Sequence, residues 1–235
     1  AMSRRVLCVL HQAHSTTGQV GIALKQLGHQ VQVVRPLVGQ RLPRQIERFD
    51  GLVVFGGPMS ANDDHLLGIR MELQLIERWM HLDRPVWGIC LGAQLMARVL
   101  GSRVFTHHRD QVEIGWYPIK PLGQGKQIFG PLSRVYQWHR EGYDLPQGAI
   151  RLASGVVNGH FEEQAFRVGH HGLATQFHPE MHPRMMNRWL ARAGHMLELP
   201  GAMNIHNHRG GLTRYYPKQS RWLKQTLHRW LESDL

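Results

Sequence analysis

Between residues 5 and 101 short apolar runs alternate with longer runs of helical spacing, and no other feature constrains the fold as strongly. The runs at 5–10, 30–34, 51–55 and 85–89 are strand-sized. Segments 17–27, 66–80 and 91–100 lie between or after them and read as helices. In the second of these, Leu66, Ile69, Leu73, Ile76 and Met80 recur on one helical face. Gly28 and Gly101 stand where helix C-terminal caps are needed. Continuous apolar strands alternating with helices imply a parallel sheet covered on both faces.

The pattern changes after residue 101. Runs at 112–119, 134–138, 150–154, 165–168 and 173–177 are strand-like, with turn residues and little helix between them. They predict a mixed or antiparallel extension of the sheet. Segment 183–193 is helical again, and the polar, Gly-rich stretch 201–211 reads as a loop. Segment 218–231 places Trp222, Leu223, Leu227, Trp230 and Leu231 on one helical face, with Arg221, Lys224 and Arg229 elsewhere. This basic amphipathic helix either docks on its own domain or binds a partner. The expected architecture is therefore α/β: an open mixed, mostly parallel sheet with helices on both faces. Residues 1–200 form the main domain, and 201–235 form a C-terminal loop and helix appended to it.

Composition narrows the function classes. At 235 residues, 42% hydrophobic and 19% charged, the chain can bury a core. No apolar run approaches the ~18 residues of a transmembrane helix. The run at 6–10 is strand-sized and no small-residue cleavage site follows it, so no signal peptide is expected. There are two cysteines, Cys8 and Cys90, and no CxxC pair, so a reducing cytoplasm is the natural setting. Cys8 lies inside an apolar run and reads as a small buried hydrophobe. The net charge of +11 is scattered, and no RNP, KH or helix-turn-helix signature accompanies it, so nucleic acid is not an expected partner. His107-His108, His170-His171 and His206-x-His208 have no third ligand at metal-site spacing, so neither a metal nor a cofactor is expected.

Cys90 reads differently from Cys8. In Gly88-Ile-Cys90-Leu-Gly92 it sits between an apolar strand and a helix. A nucleophile on such a strand-to-helix elbow needs small neighbours, which Gly88 and Gly92 provide. The elbow sets the sulfur at a helix N-terminus, where the dipole favours thiolate, and brings the Leu91 N–H near it as an oxyanion donor. A nucleophile needs a base, and the base an orienting group. Among the 17 histidines, His178 ends an apolar run, Pro179 stops the strand, and Glu180 stands two residues on. In open α/β sheets, sites gather at the carboxyl ends of strands.

Gly-Ile-Cys-Leu-Gly-Ala-Gln at 88–94 and Gln-Phe-His-Pro-Glu at 176–180 resemble the two signatures of class I glutamine amidotransferases. Phe55-Gly56-Gly57-Pro58-Met59-Ser60 resembles that family's oxyanion loop. The resemblance covers residues 4 to 195, and the flavodoxin-like fold of that family agrees with the alternation above. Within the family the chain is most similar to free-standing relatives of the GMP synthase glutaminase domain, through Glu113-Ile-Gly-Trp116 and Gln164-Ala-Phe-Arg167. His139 sits where these relatives carry a histidine near the substrate. They usually follow it with Gly-Asp, and this chain has Arg140-Glu141.

The resemblance implies a Cys90–His178–Glu180 triad. It implies an oxyanion hole from the N–H groups of Gly57 and Leu91, and substrate contacts from Gln94, Gly56 and His139. The implied reaction is hydrolysis of glutamine's side-chain amide through a γ-glutamyl thioester, releasing ammonia and glutamate. No Walker-type loop or second large domain is present, so ammonia transfer calls for a separate synthetase subunit. Two alternatives use the same scaffold: a γ-glutamyl hydrolase or peptidase, and a non-catalytic regulatory protein. Trp116 and Trp138 fit either a pocket lining or the core. The sequence does not fix the oligomeric state.

Overall fold

The computed structural model describes residues 2–156 and 161–235. Among these residues nine strands form one sheet, in the order β2-β1-β3-β4-β11-β10-β9-β6-β7. The parallel half comprises β1 (Arg5–Val9), β2 (Gln30–Val34), β3 (Gly51–Val54), β4 (Val86–Ile89) and β11 (Gly172–Thr175). The antiparallel half comprises β6 (Glu113–Pro121), β7 (Arg134–His139), β9 (Ile150–Gly155) and β10 (Glu163–Val168). A separate two-stranded pair, β5 (Val104–Thr106) with β8 (Glu141–Tyr143), was not legible in the sequence.

Alternate residues of the inner parallel strands β1, β3, β4 and β11 enter two separate cores. Val6, Cys8 and Leu10 pack with Val20 and Leu24 of α1 (Gly18–Gln26). Leu7 and Val9 pack with Ile69 and Ile76 of α2 (Leu67–Met80) and Leu95 of α3 (Leu91–Val99). Burial on both faces is why these strands read as continuous apolar runs rather than alternating ones. Cys8 is fully buried, and that burial pushes its thiol up to about 12, so it is an inert packing residue. A short α4 (Gly125–Phe129) and α5 (Pro183–Ala193) complete the main layers.

The tail corrects one expectation. Segment 201–211 is loop only as far as Asn204; α6 (Ile205–Arg214) begins there, with the Asn204 side chain accepting from the Asn207 N–H at 2.9 Å. A Cβ on Gly211 would lie 2.1 Å from Trp116 Nε1. That glycine therefore marks a helix pressed against an indole, not a flexible loop. α7 (Tyr216–Leu231) inserts Trp222 and Trp230 beside Trp87 of β4, with ring centroids 5.9 Å apart in both pairs. The Trp222 Nε1–H donates to Ile128 O at 2.6 Å and the Trp230 Nε1–H to Val86 O at 3.2 Å. Each buried apolar side chain on this face contributes roughly 1.5–3 kcal/mol. α7 thus covers one sheet face together with α1 and α4.

Candidate active site

The carboxyl ends of β1, β3, β4 and β11 open into a cleft of about 720 Å³. The size suits a small-molecule site. Cys90, Gly56, Gly57, Gln94, His139, His178 and Glu180 all line it. Of the residues expected at the site, only Leu91 lies just behind the wall, as the first residue of α3. A helix's first N–H groups have no partner within the helix, so that of Leu91 is free of the helical ladder.

Cys90 has φ +54° and ψ −107°, a conformation a side chain rarely adopts. Its own N–H donates to Thr175 O at 2.9 Å, and its carbonyl accepts from the Gln94 N–H at 3.1 Å. The flanking glycines are required sterically. A Cβ on Gly92 would come within 2.0 Å of Val54 O, and one on Gly88 within 2.5 Å of Gly92 O. The elbow's turn is therefore locked by backbone against backbone.

His178 follows β11, with its N–H donating to Tyr136 O at 2.8 Å. The His178 Nδ1 bonds Glu180 Oε2 at 2.9 Å, both side chains being nearly fully buried. The other ring nitrogen, Nε2, lies 3.4 Å from Trp138 O, which is also 3.8 Å from Cys90 Sγ. Trp189 packs edge-on to the imidazole at 4.9 Å between centroids. Burial works against the charged ring, but Glu180 and Cys90 together outweigh it and hold His178 well above the usual histidine range. A Cβ on Gly56 would lie 2.8 Å from His178 Cε1 and 3.4 Å from Cys90 Cβ, so this loop lies directly against both.

Gln94 and His139 line the cleft but are bonded to protein. Gln94 Nε2 donates to Glu141 O at 2.8 Å and to Gln176 Oε1 at 3.2 Å, while Gln176 Nε2 lies 3.5 Å from Cys90 Sγ. His139 bonds Glu113 Oε1 through Nε2 at 2.8 Å and Glu141 O through Nδ1 at 2.7 Å. Trp138 lines the cleft, whereas Trp116 is fully buried elsewhere.

Other residues at the site escaped sequence reading. His11 and Glu72 form a fully buried pair behind Gly56. Each carried a signal: His11 lies just past the carboxyl end of β1, and Glu72 puts a charge among the buried residues of α2. Arg140, Arg188 and Arg192 border the cleft, and no ion pair engages them among the described residues. Slight burial, then Arg192 and Arg188, hold His14 at the same mouth below its usual range. No group of three or more metal-ligating side chains occurs among the described residues. Nor is any described helix long and apolar enough to cross a membrane.

A cysteine on a strained elbow beside a histidine–glutamate pair, on a mixed sheet of this order, defines a class, and the comparisons with known proteins agree. The glutamine amidotransferase class-I family model matches residues 10–195, so the chain belongs to that family. It is 33% identical to the glutamine amidotransferase-like protein YfeJ of Salmonella typhimurium, over 63% of this chain and 65% of that one. It is also 26% identical to gamma-glutamyl peptidase 3 of Arabidopsis thaliana, over 68% of this chain and 66% of that one. The match to the GMP synthase of Wolbachia pipientis, 33% identical, covers 59% of this chain and 27% of that one. The chain thus spans just under two thirds of the first two relatives and about a quarter of the third. Among solved structures, a glutamine amidotransferase from Thermotoga maritima superposes with a TM-score of 0.88 at 28% identity, covering 99% of this chain and 100% of that one. One from Methylobacillus flagellatus gives 0.90 at 27%, covering 99% and 96%.

Proposed function

We propose that the protein hydrolyses the side-chain amide of glutamine through a γ-glutamyl thioester on Cys90. One observation carries this reading: the strained Cys90 and the bonded His178–Glu180 pair line one cleft. Cys90 Sγ bonds the amide carbon, and the carbonyl oxygen takes up the negative charge. The N–H groups of Gly57 and Leu91 stabilise that oxyanion, each donor being worth about 3 kcal/mol. As the tetrahedral adduct collapses, the C–N bond breaks. His178 gives the leaving nitrogen its proton, and ammonia departs. A water that gives its proton back to His178 then cleaves the thioester to glutamate. Glu180 orients the imidazole and stabilises its charged form. The raised His178 keeps that proton available at neutral pH. A synthetase that uses the ammonia is the partner this reading calls for.

A second reading, cleavage of γ-glutamyl peptides by the same thioester, is favoured by the cleft's mouth. A dipeptide fills more of a 720 Å³ cleft than glutamine does. The unpaired Arg140, Arg188 and Arg192 suit a leaving amine that carries its own carboxylate. Turnover of glutamine and of γ-glutamyl dipeptides by the wild type separates the two. Higher kcat/KM on glutamine supports the first reading, and strong preference for the dipeptides sinks it. Cys90→Ala is expected to abolish turnover of both, and retained activity in that variant removes the thioester altogether.

A further inference from the structure

We propose that His11 and Glu72 form a positioning dyad for the oxyanion hole, acting through the Gly56–Gly57 peptide unit. The proposal rests on the functional reading above and extends it to two residues behind the cleft wall. His11 Nδ1 lies 2.9 Å from Gly56 O, and Nε2 lies 2.6 Å from Glu72 Oε1. Both side chains have no exposed surface.

The peptide plane turns this contact into a constraint on catalysis. Gly56 O and the Gly57 N–H belong to one planar trans unit, and among the described residues there are no cis peptide bonds. In such a unit the C=O and N–H point in opposite directions. A hydrogen bond that pins the Gly56 carbonyl towards His11 therefore aims the Gly57 N–H the other way. The glycine contacts give the same orientation from each side. A Cβ on Gly57 would lie 2.8 Å from His11 Cβ, while one on Gly56 would meet His178 and Cys90. Without this anchor the Gly56–Gly57 unit is free to rotate, since neither glycine restricts its neighbouring dihedrals.

Proton accounting strengthens the case. A carbonyl only accepts, so Nδ1 is the donor to Gly56 O. A ring N–H donating to Gly56 O polarises the peptide unit and makes the Gly57 N–H a stronger donor. Glu72 holds that ring in place from inside α2.

The test uses the full chain and variants chosen to keep the core intact. Removing one partner strands a buried charge, whereas replacing both with apolar residues is commonly tolerated. In the His11→Leu/Glu72→Leu protein, kcat on the better of glutamine or a γ-glutamyl dipeptide is expected to fall about 100-fold, with KM and Tm little changed. Alkylation of Cys90 by iodoacetamide, which forms no oxyanion, should keep its wild-type rate. Glu72→Gln, whose amide can donate to His11 Nε2, should retain most activity. His11→Asn/Glu72→Leu, which returns an N–H near the Nδ1 position, should recover much of the loss. Wild-type kcat in a folded double-leucine variant overturns the proposal, as does an equal loss in the iodoacetamide reaction. Should the double-leucine variant not fold, the asparagine variant and Glu72→Gln decide: a loss as deep as 100-fold in both overturns it. A wild type that turns over neither substrate overturns the functional reading first and this proposal with it.

Discussion

Two buried histidine–glutamate pairs lie on opposite sides of the Gly56–Gly57 loop, and they differ at one ring nitrogen. In His178–Glu180 the carboxylate takes Nδ1, and Nε2 lies beside Cys90 with a long 3.4 Å contact to Trp138 O. In His11–Glu72 the carboxylate takes Nε2, and Nδ1 is closed against a backbone carbonyl. A third pair, His139–Glu113, is closed in the same way, with Nδ1 on Glu141 O. The pairing alone therefore does not define a role. A pair whose second nitrogen reaches the cleft cysteine, with a long contact to backbone, is able to pass protons, and one whose second nitrogen is held close to a backbone carbonyl keeps that backbone still.

Substitutions that act on one kind of pair test the contrast, beginning with the open one. His178→Gln should lower kcat by about 10⁴-fold or more while leaving the fold intact, because it removes the ring nitrogen that lies beside Cys90. A smaller loss in steady-state turnover would mean that a closed histidine can substitute, and the contrast would break. Glu180→Gln should cost about 10²–10⁴-fold and should also move the pH profile. Glu180 is the largest influence raising His178, so the alkaline fall in kcat should shift to lower pH in this variant. The sign for stability is the same. A histidine raised above its ordinary 6.5 contributes stability below that pH and loses it as pH rises through the folded value. Thermal melts at rising pH should show this decline in the wild type and less of it in the variant.

The closed pairs separate from each other under one identical change. Glu72 has an oxygen with no partner, so a glutamine there satisfies His11 without displacing any bond. Glu113 Oε1 accepts from both His139 Nε2 and Gln164 Nε2, and Gln164 Oε1 in turn accepts from Gln137 Nε2. A glutamine at 113 cannot accept from Gln164 and donate to His139 through one atom. Glu113→Gln should thus destabilise by about 1–3 kcal/mol in denaturant melts. Glu72→Gln should cost less. Equal costs would show that the two closed pairs are held by packing rather than by their bonds.

Much of this was legible in the chain itself. The two-face burial of β1, β3 and β4 is written as continuous apolar runs, because each alternate residue meets a helix layer. The elbow is written in Gly88 and Gly92, since any Cβ there strikes backbone. His178 and Glu180 are two residues apart, so their pairing is local. The 201–211 stretch was misread because a helix glycine required by Trp116 looks like a loop glycine when the indole is out of view. Sequence fixed what depends on neighbours along the chain: strands, elbow, glycine positions and the His178–Glu180 spacing. Tertiary structure alone decided what depends on distant partners. His11 meets Glu72 across 61 residues, and Glu113 meets His139 across 26. Hydrogen bonding between residues far apart in the chain is set by what the fold brings within about 3 Å, and no local pattern encodes that.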